Sequence, residues 1–95
     1  MRLTPHEQNA IRQAVHRQDP AARVLVFGSR ADDTARGGDI DLFIISDAID
    51  MRAEWAIRRH ILDAIGDQKL DLIVRRPDQL NTPISRLACQ HGLPL

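Results

Sequence analysis

Apolar residues recur along this chain of 95 residues with two different periods. An apolar residue at every third or fourth position is typical of an amphipathic helix. This period occurs in residues 5–18, 51–65 and 83–91. Short apolar runs and alternation with polar residues are typical of strands. These patterns occur in residues 23–27, 40–46 and 69–74. The predicted order is therefore helix, strand, strand, helix, strand, helix.

Residues with strong positional preferences mark the ends of the helices. Thr4, Pro5 and Glu7 form the pattern of a capping box with proline at the first helical position. Pro20 predicts the end of the first helix, because the residue before a proline disfavours the helical conformation. Gly66 suits the C-terminal cap of the second helix. These signals agree with the bounds that the apolar pattern gives.

The lengths of the connections predict how the strands are arranged. The link between the first two strands is short, so these strands should be antiparallel neighbours. The helix at residues 51–65 is long enough for a crossover, so the third strand should run parallel to the second. The predicted fold class is α/β (α+β): a three-stranded mixed sheet packed against three helices, in a single domain over residues 1–95. The apolar end Leu93-Pro94-Leu95 is expected to pack back on the sheet or to lie at an interface.

Two carboxylates open the second strand, where folding alone does not favour them. Asp39 and Asp41 are two residues apart, so their side chains point to the same face of the strand. At about 4 Å and an effective dielectric constant of about 20, two such charges repel by roughly 4 kcal/mol. A bound Mg²⁺ would remove that cost, because hard cations prefer carboxylate oxygens. In the predicted topology, Gly28-Ser29 and Asp71 converge on the same end of the sheet.

Each of these features also has a simpler structural interpretation. Gly28-Ser29 can be a turn that ends the first strand, or a turn whose backbone N–H groups hold a phosphate. Arg30 can contact a triphosphate or point into solvent. Asp71 can be an edge residue that faces water, or it can be a third metal ligand. The carboxylates on the neighbouring strand favour the second interpretation.

Composition excludes several classes of function. Thirteen basic and thirteen acidic residues cancel, which argues against direct nucleic-acid binding through charge. Aromatic residues are few, so a base-stacking platform is not expected. The single cysteine, Cys89, gives no internal disulfide or zinc pattern and fits a reducing cytoplasm. The sequence shows no signal peptide or membrane-spanning run, so a cytoplasmic protein is expected.

The spacing of the polar residues resembles a known signature. Gly28-Ser29, nine further residues, and then DID at residues 39–41 is similar to the GS…DxD signature of the DNA polymerase β-type nucleotidyltransferase superfamily. The small size is most similar to the minimal nucleotidyltransferases, the MNT proteins, many of which are antitoxins paired with a HEPN-domain toxin. The family pattern includes a third carboxylate on a later strand, where this chain has Asp71. The C-terminal HGLPL is also similar to the end of many MNT proteins.

This resemblance implies a polymerase β-like fold and two-metal chemistry. Asp39 and Asp41 would hold two Mg²⁺ ions, and Asp71 would ligate the catalytic ion and take the proton of the attacking hydroxyl. The residues implied to hold the outer phosphates of ATP are Gly28, Ser29 and Arg30. AMP would pass to a tyrosine of the HEPN toxin, pyrophosphate would leave, and this AMPylation would neutralise the toxin.

Two other functions remain open on the sequence. The same fold could mask a HEPN toxin by binding alone, with a vestigial site, or it could be a nucleotidyltransferase that acts on RNA or a small molecule. The intact carboxylates favour catalysis over masking, and an RNA or small-molecule substrate usually requires an extra substrate-binding domain. A homo-oligomer and a hetero-oligomer with the toxin are both compatible with the sequence.

Overall fold

The computed structural model of the protein describes residues 3–28 and 39–95. Its elements, in chain order, are α1 (Pro5–Gln18), β1 (Arg23–Phe27), β2 (Ile40–Ile45), α2 (Met51–Ile65), β3 (Leu70–Arg75), a 3₁₀ turn (Pro77–Gln79), α3 (Pro83–His91) and β4 (Leu93–Pro94). The three helices have the predicted bounds, and β2 and β3 differ from prediction by one residue at their ends. No helix in the described ranges is long and apolar enough to span a membrane.

Side-chain caps fix where the helices begin. Thr4 Oγ1 accepts a hydrogen bond from the Glu7 backbone N–H at 3.1 Å, and Glu7 Oε1 accepts one from the Thr4 N–H at 2.9 Å. Asp50 caps α2 by accepting from the Ala53 N–H at 2.8 Å. Thr82 caps α3 in the same way. Each cap satisfies an N–H group that has no partner within the helix, an effect typically worth about 1 kcal/mol.

In the described part of the chain, the sheet has four strands in the order β3-β2-β1-β4. β1 and β2 are antiparallel and β2 and β3 are parallel, as predicted. The prediction of three strands is wrong, because Leu93 and Pro94 pair with β1 as a fourth strand. The Leu95 N–H extends this pairing by donating to the Val24 carbonyl oxygen at 2.9 Å. Two residues are too few to show an alternating pattern, and proline is tolerated because β4 lies at the edge of the sheet.

Helices cover both faces of the sheet. Even-numbered strand residues such as Leu42 pack with α1 and α2 in the larger apolar core. Odd-numbered strand residues such as Phe43 form a second cluster with Ala88 of α3. Because residues two apart share a face, Asp41 and Asp71 lie on the α3 side of the sheet. The predicted site is therefore on the face opposite to α1 and α2.

The end of β2 is set by a polar contact that the apolar pattern does not reveal. The predicted strand includes Ser46, but the buried Ser46 hydroxyl donates to the Asp19 carboxylate at 2.6 Å. The same hydroxyl oxygen accepts from the Ala48 and Ile49 N–H groups, which turns the chain toward α2. The hydrogen bonds from Ser46 and from the Ala21 N–H lower the pKa of Asp19. Ser46 thus ends the strand and ties it to the end of α1.

Candidate functional site

The pairing of three strands brings several predicted site residues to one end of the sheet. Asp41 lies opposite Phe27, the last residue of β1, in the antiparallel pair. Asp41 also lies opposite Asp71 in the parallel pair of β2 and β3. Gly28 follows Phe27 directly, so it lies close to the Asp41 carboxylate where β1 ends. The predicted phosphate contacts that lie outside the described residues are Ser29 and Arg30.

Gly28 is required at its position for two separate reasons. Its φ angle is +73°, in the left-handed region that residues with a side chain rarely adopt. A Cβ atom at this residue would lie 2.5 Å from Asp41 Oδ2, which is well inside contact distance. The missing side chain therefore lets the backbone approach the Asp41 carboxylate closely. This geometry is compatible with both sequence interpretations of Gly28, a turn that ends the first strand and a turn that holds a phosphate.

The Asp41 carboxyl has a raised pKa, and the positive charge of a bound cation would lower it. Partial burial raises the pKa of Asp41 first, a hydrogen bond with Asp71 raises it further, and the charges of Asp71 and Asp39 add to the effect. Lys69 acts in the opposite direction and lowers the pKa of Asp41. Two carboxyl groups in contact repel when both are ionised. A cation between them would replace that repulsion with attraction.

Asp39 is paired with a basic residue whose role the sequence interpretation missed. The Lys69 Nζ atom lies 3.3 Å from Asp39 Oδ2, and the two side chains are 71% and 41% exposed. The Ile40 N–H donates to the Lys69 carbonyl oxygen at 3.0 Å, which holds Lys69 beside Asp39. The pKa of Lys69 is raised, chiefly by Asp39 and then by Asp71 and Asp41. The sequence places Lys69 two residues before Asp71, but only the strand register reveals that it faces Asp39.

The donor set suits a hard divalent cation without forming a closed cage. Within residues 3–28 and 39–95, no group of three or more His, Cys, Asp or Glu side chains is arranged to hold a metal by itself. Asp41 and Asp71 lie side by side on the paired strands β2 and β3, whereas Asp39 is turned toward Lys69. Mg²⁺ is usually held by one or two carboxylates, while substrate phosphates and water complete its shell. The residues therefore fit a divalent metal whose remaining ligands are water or substrate phosphates.

Arg58 holds the strand that carries Asp71. The sequence pattern places Arg58 on a solvated face of α2 together with Arg52 and Arg59. Arg52 and Arg59 are exposed, but Arg58 is half-buried and its guanidinium donates to the Leu70 carbonyl oxygen. Leu70 is the residue before Asp71, so this bond fixes the backbone next to the carboxylate. Helical periodicity does not distinguish Arg58 from its two neighbours, because the contact depends on how α2 packs beside β3.

Comparison with known families gives a match over most of the chain. The family model described as a nucleotidyltransferase domain matches residues 9–90. The matched range contains β1, β2, α2 and β3 in full, together with the glycine and the three carboxylates described above. No curated protein matches the chain.

Proposed function

The chain belongs to the nucleotidyltransferase domain family, and we propose that it is a Mg²⁺-dependent enzyme that moves AMP from ATP to a protein hydroxyl. Domains of this family transfer nucleotidyl groups and generally use a nucleoside triphosphate with a divalent metal. The observation that carries the proposal is the pairing of Asp41 with Asp71 across β2 and β3, with Gly28 close to Asp41. Without a cation, the ionised carboxylates of Asp41 and Asp71 repel each other. A metal bound with a nucleotide would attract both and make their proximity favourable.

The described residues take separate parts in the proposed transfer. Asp41 and Asp71 would hold the metal with Asp39 as a further ligand, and bound Mg²⁺ would neutralise charge on the phosphates. Asp71 is exposed, so it can reach an incoming hydroxyl and accept its proton. The hydroxyl oxygen forms a bond to the α-phosphorus of ATP while the bond from that phosphorus to the bridging oxygen breaks, and pyrophosphate leaves. Gly28 lets the backbone at the end of β1 lie against the Asp41 carboxylate, beside which the phosphates would bind.

The proposed acceptor is a tyrosine of a HEPN-domain toxin, which makes the protein the antitoxin of a cytoplasmic toxin–antitoxin pair. This part of the proposal rests on the resemblance to the MNT proteins. The surface of α2 supports a protein partner, because Met51 and Trp55 are 75% and 66% exposed. Exposed tryptophans are frequent anchors of protein–protein interfaces.

A labelling experiment tests the proposed chemistry. The protein is combined with Mg²⁺, α-labelled ATP and the HEPN partner, and transfer of label to the partner is measured. Wild type should transfer label, and Asp41→Asn should transfer at least about a hundredfold less, the usual loss when one charge-stabilising group is removed. Asp63→Asn is the matched control, because it removes an exposed carboxylate of α2 that pairs with Arg59. Equal labelling by wild type and Asp41→Asn would overturn the metal assignment.

Masking of the toxin by binding alone is the second candidate function, and the exposed apolar side chains of α2 are what favour it. The double variant Asp39→Asn/Asp41→Asn separates the two functions, because it removes two carboxylates at nearly constant shape. Neutralisation of the toxin by this variant, without any transfer of label, would make binding the mechanism. Loss of neutralisation in a complex that still forms would make catalysis the mechanism.

A further inference from the structure

Four charged side chains share one face of the sheet where β2 and β3 begin: Asp39, Asp41, Lys69 and Asp71. Residues two apart in an extended chain point to the same face, so Lys69 and Asp71 are neighbours, as are Asp39 and Asp41. The register places Asp41 opposite Asp71, and the Lys69 ammonium contacts Asp39. Three acids and one base therefore form a single cluster in which negative charge is in excess.

Lys69 is held where a counter-ion of this cluster would be needed. Its Nζ atom is 3.3 Å from Asp39 Oδ2, and its carbonyl oxygen is fixed by the Ile40 N–H. The Lys69 side chain is 71% exposed, so it can move away from Asp39 into water. The ion pair is therefore both well placed and easy to open.

We propose that Lys69 is the counter-ion of the metal-free site and that it leaves Asp39 when a divalent cation binds there. The inference rests on the proposed metal-dependent function, since it concerns the same carboxylates. An exposed ion pair is weak and is screened by salt, so it can be displaced. A divalent cation carries twice the charge of an ammonium and can bind directly to carboxylate oxygens, which favours the exchange. Lys69 thus stabilises the metal-free fold and competes with the metal.

Metal binding by Lys69→Gln tests this competition without any turnover. Mn²⁺ replaces Mg²⁺ as the probe, because free Mn²⁺ is measured directly by electron paramagnetic resonance in the absence of nucleotide. Lys69→Gln should bind Mn²⁺ about two- to fivefold more tightly than wild type, the range that an exposed ion pair allows. Lys69→Arg keeps the charge and should bind like wild type. Arg59→Gln removes an exposed cation of α2 that pairs with Asp63, and it should also bind like wild type.

Thermal melts provide a second measurement that a purely structural role would not reproduce. In EDTA, Lys69→Gln should melt below wild type, because the carboxylates have lost their cation. At saturating Mn²⁺ this deficit should disappear, because the metal has taken over the neutralising role. A lysine that stabilised the fold only by packing would leave the same deficit with and without metal, and that result would overturn the proposal.

The binding data separate failure of this inference from failure of the proposed function. If wild type binds Mn²⁺ no better than Asp41→Asn does, the metal-dependent function fails and the role of Lys69 fails with it. If wild type binds Mn²⁺ and Asp41→Asn does not, the metal site stands. In that case, binding by Lys69→Gln that is equal to or weaker than wild type would overturn the counter-ion role alone.

Discussion

The Asp41 carboxyl is partly buried in contact with Asp71, and this makes the stability of the folded protein depend on pH. Its pKa is raised in the folded protein, whereas an aspartate in an unfolded chain titrates near pH ~3.9. Below both values, the carboxyl is protonated in both states and costs nothing. As the pH rises through the folded pKa, the folded protein gains a poorly solvated and repelled charge. Asp41 therefore lowers the free energy of unfolding above that pH.

Replacement of Asp41 should expose this effect in the metal-free protein. Asp41→Asn should raise the melting temperature at pH 7 in EDTA, because an amide can donate a hydrogen bond to Asp71 where a carboxylate repels it. The gain should shrink toward zero as the pH falls to about 4. Melts across this pH range measure it, with the exposed Asp63→Asn as a control.

Added Mg²⁺ should reverse the order of the two proteins, since only wild type keeps the full set of ligands. A ligand at about ten times its dissociation constant stabilises by roughly 1.4 kcal/mol. A lower melting temperature for Asp41→Asn than for wild type in EDTA at pH 7 would contradict the prediction. Such a result would make the Asp41 carboxylate a structural group.

Sequence reasoning selects as site candidates those residues whose type is unusual for their position. Asp39 and Asp41 repel each other at the start of an apolar strand, so their presence there points to a functional role. Gly28 at the end of a strand points to a functional role in the same way. Lysine before a strand is common, so Lys69 carries no such signal. Its contact with Asp39 depends on the register of β2 and β3, which becomes known only when the sheet is assembled.

Among the elements, those with local signals could be predicted and those fixed by distant contacts could not. The helices are bounded by residues such as Thr4 and Gly66, whose capping preferences act within one turn. The predicted polymerase β-like fold is confirmed by the family match and the mixed sheet, with four strands instead of three. β4 escapes prediction because it is two residues long, includes Pro94, and exists only through pairing with β1.

Among the strands of residues 3–28 and 39–95, β3 lies at the edge of the sheet, and backbone groups on its outer side have no neighbouring strand there. The Arg58 guanidinium donates to the Leu70 carbonyl oxygen, and the Arg75 guanidinium donates to the Val74 carbonyl oxygen at 2.8 Å. Two side chains thus satisfy carbonyl groups near the two ends of this strand. They also make the edge less available for pairing with another chain.

Loss of the Arg58 contact should destabilise the protein more than loss of a neighbouring arginine does. Arg58→Met keeps most of the aliphatic stem but should cost about 1–2 kcal/mol, because a hydrogen bond from a charged donor is lost. In a domain of this size each kcal/mol lowers the melting temperature by about 4–8 °C. Arg59→Met removes only an exposed pair with Asp63 and should stay within about 0.5 kcal/mol of wild type. Equal melting temperatures for Arg58→Met and wild type would contradict this prediction. They would mean that water satisfies the Leu70 carbonyl oxygen in Arg58→Met.

In the molecule as a whole, the sheet separates two apolar cores of unequal size, and the smaller core lies on the side of the site. Phe43 is fully buried there, opposite Leu25 on β1 and Ile73 on β3. It packs in the same cluster as Ala88 of α3. Because Phe43 is two residues from Asp41, the packing of this core also supports the strand that carries the carboxylate.

Removal of the Phe43 ring should therefore lower the stability of the whole molecule. Phe43→Ala should lower the free energy of unfolding by about 3–5 kcal/mol, a large part of the roughly 5–15 kcal/mol that holds a typical domain together. Urea titrations measure the change, with Leu87→Ala on the exposed side of α3 as the control. Leu87→Ala should stay within about 0.5 kcal/mol of wild type. A loss for Phe43→Ala as small as that of the control would mean that the α3 side is not a packed core.

The contact between Asp41 and Asp71 joins residues that are separated along the chain by the whole of α2. Helices form quickly because their contacts are local, whereas parallel strands can pair only after the intervening loop has closed. During folding, the two carboxylates therefore remain apart until one of the later steps. In a chain that has formed its helices but has not yet paired β2 with β3, Asp41 and Asp71 are two separate carboxylates. A metal site built on this pair of carboxylates would therefore form late in folding, after β2 and β3 have paired.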